Sequence, residues 1–228
     1  MNDQEFRSVT EEGTLPPPDS DRTERFPWPP SGSESILGAW SRTWQGAALQ
    51  PSRFFAALPH HVPIGPALIY YLSIGIPVAG AQLFWRMIGV SFGSEAASAA
   101  FGTDGHLSPL VDFLFSPVML LISLFLAAGV THLMLLMFGA GRGGAGVTAR
   151  VFAYSYSPQL LGIIPVVGWA VGTVWMIVIA IIGLREAHRT STARALFAVL
   201  LPLGVLTFFL VLGMILVQAS DMLMGVPV

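Results

Sequence analysis

The apolar positions of this chain are gathered into runs on the scale of a lipid bilayer. The first is Ile64 to Trp85. About 20 residues at a rise of ~1.5 Å cross a hydrocarbon core of about 30 Å, so this run predicts one membrane helix over 64–85. Pro66 falls in its first turn, where proline is tolerated. Pro77 falls mid-run and predicts a kink, acceptable in a bilayer when neighbours satisfy the freed carbonyl. The second run predicts a helix over 110–138, longer than a bilayer needs, with Ser116-Pro117 as the place where its start would break. Val151 to Leu184 carries no charged residue. As one helix it would be about 50 Å long, too long for one crossing. Ile164-Pro165-Val166-Val167-Gly168 supplies the break. Two passes follow, over 148–165 and 169–184, and a last one over 195–217. The expected class is all-α: a polytopic membrane protein with a five-transmembrane-helix bundle over 64–218.

A different pattern precedes the first run. Ile36, Trp40 and Trp44 recur at helical spacing on one face, while Arg42 and Gln45 point elsewhere. Tryptophan favours the headgroup region, so residues 36–58 predict an interfacial amphipathic segment, interrupted at Pro51 and carrying Phe54 and Phe55. Residues 1–35 lack such a pattern. They hold Asp3, Glu5, Glu11, Glu12, Asp19, Asp21 and Glu24, with Pro16-Pro17-Pro18 and Pro27-Trp28-Pro29-Pro30. A segment this acidic and proline-rich predicts a disordered cytosolic tail, not a secretory signal.

Charge fixes direction. Only 11% of the residues are charged, against about a quarter in a soluble domain. All the basic residues are arginine. With the N-terminus inside and five alternating passes, inside segments hold Arg7, Arg22, Arg25, Arg42, Arg53, Arg142, Arg150, Arg185, Arg189 and Arg194, and outside segments hold Arg86 alone. Four passes would put the three arginines of 185–194 outside, against the positive-inside rule. The expected topology has a cytosolic N-terminus and an outward C-terminus, in a membrane that the lysine-free, Ala/Gly/Arg/Pro-rich usage suggests is bacterial and cytoplasmic (inner). The absence of cysteine excludes disulfides and thiol chemistry, and a net charge of −2 gives no case for nucleic acid.

Candidate chemistry is sparse. Gly89-Val90-Ser91-Phe92-Gly93 has the form of a nucleophile elbow, with Glu95, Asp104 and His106 nearby in sequence, but the motif requires a preceding strand. Gly139-Ala140-Gly141-Arg142-Gly143-Gly144 has the form G-x-G-x-x-G without a βαβ unit around it, and reads as a flexible turn. His132 lies inside the second run, and ionisable groups at membrane depth are functional candidates. With Tyr154, Ser157 and Gln159 around Pro158, it forms the best candidate for an intramembrane polar cluster; a helix-packing hinge is the bland alternative. Arg86 and Asp112 read as anchors at the outer interface, and Gly168 and Gly172 as a small-xxx-small pair for close packing within the chain. His60 and His61 are adjacent and face apart on a helix. No catalytic residue, cofactor or metal site is expected.

Tyr154-Ser155-Tyr156-Ser157-Pro158, Leu160-Leu161, Ile164-Pro165, Gly168, Trp175, Ile182-Gly183-Leu184-Arg185-Glu186-Ala187-His188, Ser191-Thr192-Ala193-Arg194-Ala195 and Pro202 together resemble the Yip domain family, the Ypt/Rab-GTPase-interacting membrane proteins, in its bacterial form. Trp40-Ser41-Arg42-Thr43-Trp44 and Pro51-Ser52-Arg53-Phe54-Phe55 resemble that family's approach to its first helix, so the resemblance covers roughly 36–218. It implies five membrane helices, a cytosolic N-terminus, and Tyr154, Pro158, Pro165, Gly168, Gly183, Arg185, His188 and Arg194 as family motif residues. The Asp-Leu-Tyr-Gly-Pro signature of the trafficking branch is not found near the first helix, which counts against Rab-type GTPase binding. The expected function is a non-enzymatic scaffold or adaptor in membrane organisation or trafficking-like processes. Its expected partners are the lipid bilayer and other membrane proteins or further copies of itself. The alternative is a small transporter, channel or lipid-handling protein acting as an oligomer, and a remote one an intramembrane serine hydrolase at Ser91.

Overall fold

The computed structural model describes residues 26–30, 32–92, 109–165 and 167–224. The acidic tail through Arg25 and the connection bearing Glu95, Asp104 and His106 lie outside them. The described residues are helical, without strands. Four of the helices are long and apolar enough to cross a membrane: α3 (Gly65–Phe92), α4 (Pro109–Met137), α6 (Val167–Ala187) and α7 (Thr192–Met224). The shortest, α6, has 21 residues, about 32 Å of helix. Two short helices, α1 (Ile36–Leu49) and α2 (Pro51–Ala56), precede them, and α5 (Ala145–Ser155) continues into a 3₁₀ helix over Ser157–Ile163.

Local sequence explains the boundaries. Ser35 caps α1, its Oγ accepting from the Gly38 N–H at 3.2 Å. Pro51 ends α1 and begins α2, because proline disfavours helical backbone in the residue before it but suits the first helical position. Between α4 and α5 the chain turns on Gly139 and Gly144, whose φ values of 65° and 81° suit glycine.

At Pro117 and Pro158 the serine in front answers the carbonyl that the proline frees. Proline at i removes the hydrogen bond to the carbonyl of i−4. Ser116 Oγ donates to the Phe113 carbonyl at 2.8 Å, so α4 runs unbroken through Pro117. Ser157 Oγ donates to the Tyr154 carbonyl at 2.7 Å, beneath Pro158. Here the chain does not resume as an α-helix but tightens into the 3₁₀ segment.

The third stretch, expected over 148–165, is therefore two pieces, an α-helix of 11 residues and a 3₁₀ helix of 7. Their combined length is about 30 Å. Two points along it are placed by hydrogen bonds to the region of α3. At the entry end, where α3 begins, Arg150 holds the carbonyls of His60 and Val62. At the far end Trp85 Nε1 donates to the Ile163 carbonyl at 2.8 Å. The chain then reverses at Pro165, and α6 packs back along the 3₁₀ helix and α5. Glycine makes that return possible. A Cβ on Gly168 would stand 1.9 Å from the Leu161 carbonyl oxygen, and one on Gly172 would stand 2.8 Å from that of Pro158. Gly183 meets Val151 and the Phe55 ring in the same way. Helix α7 docks through Ala195 and Ala198 and is exposed from Leu203 to Ser220.

Helix α1 is not oriented as a simple Ile36–Trp40–Trp44 stripe. Ala39, Thr43 and Ala47 form its buried face, Trp40 and Trp44 flank it, and Ile36 is exposed. Small residues let the helix axis approach the bundle, and the indoles reach past it to polar partners. Trp40 Nε1 donates to Ser73 Oγ at 2.7 Å, Trp44 Nε1 to the Ser157 carbonyl at 2.9 Å, and Trp175 Nε1 to the Ala48 carbonyl at 2.9 Å.

Candidate functional site

Buried polar groups require partners in an apolar interior, and following them divides the polar residues of the bundle into separate sets. His132, on the last turns of α4, pairs through Nδ1 with Thr148 Oγ1 at 3.0 Å, and Thr148 Oγ1 pairs with His188 Nε2 at 3.0 Å. Gly143, in the glycine turn, donates its N–H to His188 Nδ1 at 3.0 Å. A backbone N–H can only donate, so neutral His188 carries its proton on Nε2 and donates to Thr148. The threonine hydroxyl then turns its own proton to His132 Nδ1, the Gly144 carbonyl standing farther off at 3.5 Å. One ordered chain thus ties the glycine turn, α4, α5 and the end of α6. His188 lies just past α6 and is buried. Burial, and next the neighbouring His132 and His60, push its pKa down to about 4.

The second set lies deeper. Tyr70 on α3 meets Ser157 Oγ at 2.7 Å. Since Ser157 spends its hydrogen on the Tyr154 carbonyl, Tyr70 is the donor. The Tyr154 ring packs against Tyr70 at 5.3 Å and against Phe54 and Phe26 at 5.4 and 5.3 Å. Gln159 belongs to a third set, its Nε2 donating to Thr173 Oγ1 at 3.0 Å on α6. Of the four residues singled out from sequence, Tyr154 and Ser157 share a set; His132 and Gln159 bond elsewhere.

The residues that carry the family resemblance occupy structural joints. Pro158 begins the 3₁₀ helix, Pro165 stands at the reversal, and Gly168 and Gly183 sit at the closest approaches. Arg185 pairs with Glu186 and reaches Ser52 Oγ at 3.3 Å on α2. Ser191 Oγ accepts from the Arg194 N–H at the start of α7. At the far end Arg86 pairs with Asp112. The G-x-S-x-G segment lies on the last turns of α3 through Phe92, not on a strand–turn–helix elbow.

Arg150 escaped the sequence reading, which counted it only as an inside charge. Its side chain is 3% exposed. Nε donates to the Gly146 carbonyl at 3.2 Å, and the terminal nitrogens to Val62 at 2.8 Å and His60 at 2.7 Å. The signal was its place immediately before the uncharged run, with no acid within thirty residues on either side in sequence.

A family profile described as the Yip1 domain matches residues 46–214. No curated protein and no solved structure matches the chain.

Proposed function

The chain belongs to the Yip1 domain family of membrane proteins, and from that membership we propose a non-enzymatic scaffold or adaptor that crosses the membrane five times. In this reading the N-terminus is cytosolic, the C-terminus is outside, and partners are other membrane proteins or further copies.

The observation that carries it is the clamping of α1. Three indole N–H groups fix that helix to α3, the 3₁₀ segment and α6. Its opposite side presents Leu37, Arg42, Gln45 and Leu49 outward. A rigid, mixed apolar and polar face loses little entropy on recruiting a partner. Five crossings are supported by the α5–3₁₀ segment, about 30 Å long, with Arg150 in its α-helical part bonded beside the start of α3 and Ile163 at its far end bonded to Trp85.

Two measurements test this. The chain has no cysteine, so a single Ser191→Cys reports topology cleanly. Five passes require it to resist a membrane-impermeant thiol reagent from outside; labelling there means four. Leu37→Glu with Leu49→Glu should release a co-purifying membrane partner while insertion is kept. If that pair and deletion of residues 1–25 both leave every association intact, the adaptor reading fails.

One observation favours lipid handling as a second reading. A cavity of about 730 Å³ lies between α3 and α4, walled by Val78, Phe115 and Met119, with Gln82, Asp112 and Ser116 as its polar lining.

A further inference from the structure

The guanidinium of Arg150 is always charged, and burying a charge without a countercharge costs several kcal/mol. Its three carbonyl partners satisfy hydrogen bonds but bring no net charge. None of the carboxylates whose side chains are described compensates it. Glu34 pairs with Arg42, Asp112 with Arg86, and Glu186 with Arg185. Three of about five guanidinium N–H groups are engaged, which leaves one on each terminal nitrogen for a further acceptor.

Arg150 also lines a cavity of about 370 Å³ at the entry end of the bundle, where the chain passes into α3. Tyr154 shares its lining, and Phe26, Trp28, Leu58 and Pro63 wall it. Trp28 is fastened there by its Nε1 donating to the Pro66 carbonyl at 2.7 Å. The space holds on the order of ten water-sized volumes, enough for a tetrahedral oxyanion and a small polar group attached to it. We propose that this cavity is an oxyanion site in which Arg150 binds phosphate, either the phosphate of a phospholipid headgroup or the free ion. The forked donor geometry of arginine suits two phosphate oxygens, and the aromatic and proline walls leave the guanidinium in largely apolar surroundings. The surroundings agree in sign: Arg142 and Arg189 lie in the connections at this end of the bundle, and Arg194 lies in the first turn of α7. Only the side of the membrane on which the site opens rests on the five-pass reading.

The full-length chain in a phosphate-free maltoside detergent tests it by thermal unfolding. A ligand that binds the folded state alone raises the melting temperature with its concentration. Inorganic phosphate is titrated against chloride at matched ionic strength, and phosphatidylglycerol against a phosphate-free galactolipid. A rise with both phosphate forms assigns the site to the free ion as well as the lipid; a rise with phosphatidylglycerol alone assigns it to the headgroup. Arg150→Gln should weaken the response at least tenfold. Because that change also releases the His60 and Val62 carbonyls, Val62→Glu supplies a second arm. Val62 lines the cavity and is 45% exposed, so its replacement brings a carboxylate to Arg150. The expected result is a higher melting temperature in maltoside alone and loss of the phosphate response. The proposal is overturned if neither phosphate form raises the melting temperature above its control, or if the Val62→Glu response matches that of the unaltered chain. Ser191→Cys labelling reads topology independently, so a wrong pass count and an absent oxyanion site give different results.

Discussion

Helix α7 and the α5–3₁₀ segment are opposites. Helix α7 has 33 residues and carries no charged side chain between Ala195 and Ser220, yet it buries only its first turns. The α5–3₁₀ segment has Arg150, Ser157 and Gln159, and buries nearly every residue from Val147 to Gln159. Lipid tails are as apolar as leucine, so hydropathy measures how well a segment suits the bilayer, not how tightly it packs. Polar groups have the reverse need. They must be enclosed by protein that can hydrogen-bond them, and the least apolar segment consequently becomes the centre of the bundle.

The sharpest way to break this contrast is one substitution made in both places. Gly168→Val should cost more than about 3 kcal/mol, because its Cβ would sit 1.9 Å from the Leu161 carbonyl oxygen. Gly213→Val, in open space on α7, should stay within about 0.5 kcal/mol. Unfolding in mixed micelles measures both, and equal losses would end the distinction.

A somewhat smaller effect is expected from pH. Folded His188 stays neutral down to about 4, against 6.5 when unfolded. Between these values the unfolded chain binds the extra proton, so stability falls as pH drops from 6.5 to 4, by up to about 3 kcal/mol. His188→Gln should flatten that slope. α7 has no titratable group from Ala195 to Ser220 to contribute one, and a slope unchanged in the variant would place the proton elsewhere.

The smallest effect compares two hydroxyls. Ser157→Ala strands the Tyr70 hydroxyl and the Tyr154 carbonyl in a buried site, for a loss of about 1–2 kcal/mol. Thr207→Ala on α7 removes a similar bond to the Leu203 carbonyl, at an exposed position, and should cost under about 0.5 kcal/mol. Chemical denaturation of the two variants gives the ratio directly.

Much of the helical framework was legible because apolar length and proline placement are local. Pro165 was expected to break the run from Val151 to Leu184, and the chain does reverse there. Other boundaries were less accessible. Helix α3 extends to Phe92 and α7 to Met224, beyond the 85 and 217 that bilayer thickness suggested, since helices can project past the hydrocarbon. The split of the third stretch into α and 3₁₀ pieces depends on Ser157 answering the carbonyl freed by Pro158, with Tyr70 and Trp44 as further partners. Those partners are 87 and 113 residues away, and no local pattern announces them.

By itself, the sequence determined an all-helical membrane chain with several apolar helices, because the bilayer acts on each segment separately through length and hydropathy, and it carried the family resemblance. Tertiary structure alone decided which polar groups meet. His132 joins His188 through Thr148, Gln159 joins Thr173, and Arg150 is buried against the carbonyls of His60 and Val62. Hydrogen bonds act over about 3 Å, so each pairing depends on how distant segments are brought to one level, which the spacing of residues along the chain does not encode.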